Sequence, residues 1–197
     1  MSRVLLFLVL TSVWAAAELK QWRIDPAHSA AHFSVRHMMV ANVRGHFGKM
    51  SGTAAWDPKD LSKASVEVTI DVNSIDTREP KRDAHLKSAD FFDAANYPTI
   101  TFKSKRVERA GEGRLRLIGD LTLRGVTREV VFDVEGPSQE VPGPRGARIG
   151  ATATTRINRK DFGMTWNRVL DAGGVVVGDE VQITVDVELI EVRPGSG

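Results

Sequence analysis

Between residues 115 and 134, apolar and polar residues alternate on both sides of a short turn. Leu115, Leu117, Leu121 and Leu123 share one face with Gly119, and Arg114, Arg116, Asp120, Thr122 and Arg124 take the other. After Gly125, Val130, Phe132 and Val134 face inward while Glu129, Asp133 and Glu135 face outward. A period of two with one wet face predicts a β-hairpin. The same period recurs over 20–24, 31–35, 43–56, 65–72, 99–106, 148–157 and 181–189, giving about eight long strands. Gly45, Gly48 and Gly52 interrupt the third run, as bends or bulges do. The tetrad His37-Met38-Met39-Val40 breaks alternation and reads as a bend at a barrel mouth. One segment reads as helical, about residues 78–93, ended by Asn96-Tyr97-Pro98 and laid across one end of the sheet as a lid or plug. The Gly/Pro-rich stretch 136–146 predicts a mobile loop.

Strands with one wet face must bury the other, against a second sheet or by closing on themselves. About eight antiparallel strands make a barrel that is either filled by side chains or holds one small ligand, as in lipocalins. Residue size favours the hollow form, because the inward positions Ala31, Ser104, Gly119, Ala151 and Ala153 are small where a packed core uses large branched residues. The expected lining is Phe33, Val35, Phe47, Phe102, Leu117, Gly119, Leu121, Phe132, Ala151 and Ala153, with His37 and Met39 at the mouth and Phe162 and Trp166 either lidding the pocket or in the core. The competing reading is a sandwich whose gap is filled by Phe33, Phe47, Phe102, Phe132 and Phe162. A membrane-spanning barrel is disfavoured: its outer face would have to be apolar, yet here it carries Glu67, Asp71, Lys103, Lys105, Arg116, Asp120, Asp133 and Glu188.

Residues 1–17 are set aside from the fold. Arg3, the apolar run after it and Ala15-Ala16-Ala17 before Glu18 read as a secretory signal peptide, leaving 18–197 as one domain in a periplasmic or secreted protein. The chain has no cysteine, which excludes disulfides, thiolate metal sites and a cysteine nucleophile. Without residues 1–17 there are 26 Lys plus Arg against 25 Asp plus Glu, a balance that provides no general field for nucleic acid.

Candidate chemistry is sparse. His28, His32, His37 and His46 suggest a metal by residue type, but alternation points His32 away from Phe33 and Val35, and no metal is assigned. No Gly-x-Ser-x-Gly elbow is present. Arg44, Arg82, His85, Asn158 and Arg159, with Asp83 and Asp161, form the other polar concentration. They make either a rim whose arginine forks meet a phosphorylated head group or a set of pairs that pins helix and loop.

The stretches Ile24-Asp25-Pro26-Ala27-His28-Ser29, Phe33-Ser34-Val35-Arg36-His37, Val43-Arg44-Gly45-His46-Phe47, Lys81-Arg82-Asp83-Ala84-His85-Leu86, Phe91-Phe92-Asp93, Tyr97-Pro98-Thr99-Ile100, Gly119-Asp120-Leu121-Thr122-Leu123 and Ile157-Asn158-Arg159-Lys160-Asp161-Phe162-Gly163 together resemble the YceI-like family, in that family's order. The resemblance implies an all-β, antiparallel, eight-stranded, lipocalin-like barrel with a short helical crossing. It also implies a bound polyisoprenoid or isoprenoid-quinone-like lipid as ligand, no other cofactor and no reaction, and it admits a homodimer. The function expected is transport or storage of that lipid by a protein that does not span the membrane. The alternatives are a lipid-processing hydrolase or isomerase using the same cavity, and an empty barrel acting as an interaction module.

Overall fold

The computed structural model describes residues 19–170 and 174–193. The leader expected over 1–17 and the tail from 194 on lie outside the described residues.

The hairpin at the centre of the sequence forms as its alternation predicts: β8 (Arg114–Leu123) pairs with β9 (Val126–Glu135) in register from Leu123↔Val126 to Arg114↔Glu135. Its two turn residues, Arg124 (φ 50°) and Gly125 (φ 73°), both have positive φ, the type I′ geometry whose twist matches that of paired strands. A Cβ on Gly125 would lie 2.5 Å from the Tyr97 ring, so only glycine lets that ring cover the turn.

The other strands are β1 (Lys20–Ile24), β2 (Ala30–His37), β3 (Ala41–Phe47), β4 (Met50–Asp57), β5 (Asp60–Asp71), β6 (Ile75–Asp76), β7 (Thr99–Arg109), β10 (Arg148–Asn158) and β11 (Val177–Val192). Six of these are halves of broken strands. β1 and β2 both pair with β11, through Ile24↔Leu189 and Ala30↔Asp186; β4 pairs with β1 and β5, while β3 pairs with β2 and β6. Joined in this way, the segments make eight staves in chain order, and β11 closes the wall onto β1 and β2. Every stave is antiparallel to its neighbours. The wall is therefore the closed eight-stranded barrel that the alternation and the size of its inward residues predict, and the sandwich is excluded.

Antiparallel order sorts the connections to two ends. The loop end gathers 58–59, 110–113 and 136–147. The helical end gathers 38–40, 77–98, 124–125 and the described residues 159–170 and 174–176. The helix is shorter than expected: α1 spans Pro80–Lys87, with the Glu79 carboxylate accepting from the Lys81 N–H at 3.0 Å. It stops at Ser88 because that serine side chain offers the backbone other partners: Ser88 Oγ donates to the His85 carbonyl and accepts from the Asp90 N–H. Phe91 and Phe92 follow in turns.

Two inward small residues do not enlarge the interior. The Ser104 hydroxyl accepts the Val66 N–H at 2.8 Å where the β7–β8 register slips, so it belongs to the strand ladder. Gly119 is buried because the Phe102 ring lies across it: a Cβ there would sit 2.6 Å from Phe102 Cζ and against the Lys103 carbonyl. The 136–146 stretch is tied down. Ser138 bonds to Gly150 and Val141 exchanges two backbone hydrogen bonds with Arg148, extending the short β9–β10 ladder. Gly119→Ala is expected to lower stability by about 1–3 kcal/mol through overpacking, read as a lower urea midpoint with unchanged m.

Candidate functional site

Inward side chains of the staves enclose a cavity of about 570 Å³. β5 contributes Leu61, Val66, Val68 and Ile70; β8 contributes Leu115, Leu117, Leu121 and Leu123; β11 contributes Val181, Ile183, Val185, Val187 and Leu189. From Leu61 to Ile70 the wall runs roughly 30 Å along the strand at about 3.3 Å per residue, so the space is long and narrow. Its walls are overwhelmingly apolar.

The two ends differ. At the helical end the lining includes Leu86, Phe91, Phe92 and Met164, none of them exposed, and aromatic contacts layer that end: Phe47 meets Phe92 edge-on at 5.5 Å and Phe91 packs on Trp166 at 5.3 Å. At the loop end the lining includes the exposed residues Pro58, Arg109, Gln139 and Glu140. The cavity thus opens at the loop end. Lys20 Nζ lies 2.7 Å from Glu140 and ties that part of the rim to β1; the hydrogen bond it donates to the Glu140 carboxylate pushes the Lys20 pKa up.

Of the residues expected to line the interior, Phe33, Val35, Phe47, Phe102, Leu117, Leu121, Phe132, Ala151 and Ala153 do so. The others are placed differently or take one of the two alternatives. Gly119 is covered by Phe102. His37 and Met39 lie at the β2–β3 turn on the helical end, opposite the opening, and Met39 is 56% exposed. Phe162 is 2% exposed and belongs to the core; Trp166 packs edge-on against His85 at 4.8 Å, covering Phe91. Alternation left which end is open undetermined, because that depends on where the 77–98 segment packs.

The expected head-group rim dissolves into structural pairs. Arg82 donates to the Thr77 hydroxyl and carbonyl, and the Asp83 carboxylate accepts from Thr77. His85 Nε2 lies 2.8 Å from Asp90. Asn158 caps the 3-10 turn Arg159–Phe162 by accepting from the Lys160 N–H. Arg159, whose side chain is 3% exposed, spends its fork on the carbonyls of Met164, Trp166, Val177 and Gly178 and on Asp179. Burial pushes its pKa down and Asp179 opposes that. Arg44 stands exposed on β3. Sequence reasoning missed Arg124, which donates to the Ala89 and Gly163 carbonyls and so joins the β8–β9 turn to both closing segments. An arginine in a type I′ turn was its only signal.

The four histidines are not brought together as a site. His32 and His46 face each other at 5.8 Å, while His28 joins Asp25 and Glu188 at the β1–β2 break. There Asp25 accepts from the Ala27 N–H and lies 3.0 Å from both His28 Nδ1 and the Arg148 guanidinium, which also pairs with Glu188. Arg148 already supplies the cation for both carboxylates, so this cluster stitches the broken stave to β10 and β11. The hydrogen bond from His28, with those from Ala27 and Arg148, pulls the Asp25 pKa down to about 2.

A model of the YceI-like domain matches residues 22–189. The chain belongs to the YceI-like family. A UPF0312 protein of Vibrio cholerae is 40% identical over 157 residues, covering 78% of this chain and 82% of that one. Among solved structures, Burkholderia cenocepacia BcnA superposes with a TM-score of 0.71 at 27% identity, covering 84% of this chain and 98% of BcnA. A polyisoprenoid binding domain from Saccharophagus degradans shares the fold, with a TM-score of 0.64 at 16% identity over 87% of this chain and 98% of that one.

Two outcomes follow for the polar groups of this YceI-like barrel. Arg159→Lys keeps the charge but offers three donors to five acceptors, and is expected to cost about 2–3 kcal/mol in urea unfolding. The Asp25 carboxylate has a depressed folded pKa, so its contribution is full above the unfolded value of about 3.9 and fades as pH falls towards 2. Thermal melts from pH 5 to 2 should therefore fall less steeply for Asp25→Asn than for the parent chain.

Proposed function

We propose that this YceI-like barrel holds one long-chain isoprenoid lipid, or a similar amphiphile, for transport or storage in an exported compartment. The single observation behind this reading is the long apolar cavity, whose volume falls within the range of about 300–1,000 Å³ usual for small-ligand sites. The one arginine at its closed end, Arg159, has its donors committed to protein acceptors. Binding is then driven by the tail. Each buried CH₂ contributes roughly 0.8 kcal/mol, so a chain of some twenty carbons offers about 16 kcal/mol before ordering costs are subtracted. The polar end of such a ligand belongs at the loop end, near Arg109, Gln139 and Glu140. The Saccharophagus domain bears on the fold alone, and the cavity carries the proposal.

Binding is favoured over hydrolysis or isomerisation by the distribution of titratable groups. Acid–base chemistry requires a partner within reach of the reacting atom. Glu140 is engaged by Lys20 at the mouth, and Arg159 by its carbonyls at the far end. The apolar stretch between them offers tail packing.

The test is organic extraction of the protein purified from its native host, followed by mass spectrometry, beside Ala153→Phe. Filling the narrow middle should sharply reduce the recovered lipid while the melt stays cooperative. Repeated recovery of no lipid from the parent protein, or equal recovery from both, would falsify carriage.

A further inference from the structure

The β2–β3 turn is built against its own backbone preference. Met38 (φ 48°) and Met39 (φ 61°) are the two central residues of a β-turn within the three-residue connection 38–40, both at positive φ, and the Val40 N–H closes it by donating to the His37 carbonyl at 3.1 Å. Asn-Gly is the favoured pair there, because side chains without a short polar group are strained in the left-handed region. Neither methionine is buried in return: Met38 is 44% exposed, Met39 56% and Val40 78%. Folding therefore explains neither residue.

A second pair of chain segments stands beside this turn. The Met38 N–H donates to the Val176 carbonyl at 2.8 Å, and Val169, 83% exposed, pairs with Val175. Met38, Met39, Val40 and Val169 thus form one projecting apolar tip at the helical end. Arg36, Arg44 and Arg168 are exposed in the same two segments, and the described residues of 36–44, 166–170 and 174–176 include no carboxylate. Arg36 reaches only Asn42, at 3.4 Å. Asp171 falls outside the described residues.

We propose that this tip docks the protein onto an anionic phospholipid bilayer, the two methionines and two valines entering the interface and the arginines meeting lipid phosphates. Apolar side chains flanked by arginines, with no carboxylate among the described residues of these segments, match the interfacial mode of membrane binding. A second copy fits less well, since a symmetric contact through this tip would bring the same arginines face to face, and four side chains offer far less than the roughly 1,000 Å² of a stable interface. The inference is independent of whether the cavity holds a lipid.

The chain has no cysteine, so V40C at the tip and E112C at the loop end each accept one environment-sensitive fluorophore. With vesicles of phosphatidylcholine plus phosphatidylglycerol at low salt, the V40C probe should shift to the blue and the E112C probe should not. The shift should fade with salt, with phosphatidylcholine alone, and in R36Q/R168Q. M38N/M39G, which restores the favoured turn, should weaken vesicle co-sedimentation roughly tenfold without lowering the urea midpoint. A V40C spectrum that ignores the mixed vesicles, or equal shifts at both positions, overturns the proposal. A V40C shift that rises with protein concentration in the absence of vesicles replaces it with self-association.

Discussion

Closure of the wall is the constraint on which the rest depends. Once β11 pairs with both β1 and β2, the wall closes on itself and its circumference is fixed by eight staves, so the interior can be filled only by side chains long enough to meet across it. Phe33 packs on Phe47 of the neighbouring strand at 5.8 Å, and Phe102 meets Phe132 edge-on at 5.4 Å over the intervening β8, so these rings cover parts of the wall. Positions such as Ala151, Ala153, Val185 and Val187 leave a lumen that is a consequence of barrel size and residue size together.

Polar chemistry is placed to protect that closure. The wall breaks at the β1–β2 turn, and there Asp25, His28, Arg148 and Glu188 hold three staves in register. At the helical end Arg159 bonds to carbonyls that would otherwise be buried and unpaired, which is the more costly state, while Arg124 ties exposed carbonyls of the closing segments to the β8–β9 turn. These arginines look like anion receptors in sequence. In the folded chain their donors are committed to protein carbonyls.

What sequence could reveal follows from the range of the interactions involved. The β8–β9 hairpin was legible because a period of two and an Arg-Gly turn are local. Closure was legible at one remove, from strand number and small inward residues. Gly119 was misread because its missing side chain is used by Phe102, a neighbour on another strand, and residue size alone does not distinguish an empty place from one that a neighbour fills. The open end is not legible in the sequence, because the tetrad 37–40 announces a bend but not which end the 77–98 segment will close. Arg159 was ambiguous because one fork suits phosphate and carbonyl alike; only burial separates the two.

The asymmetry of the ends joins the proposed activity to the rest of the molecule. A sealed helical end built from interlocked aromatics fixes the depth to which a tail can enter, while the opening is framed by loops whose side chains are polar and exposed. Selection by such a container acts on tail length and flexibility more than on head-group identity, because apolar contacts are non-directional and scale with area. The Lys20–Glu140 pair across the rim is exposed, so it contributes little to stability and orders the rim without sealing it. An amphiphile seated there would have its tail length read by the wall and its head left to water, an arrangement suited to handing the guest on as well as to keeping it.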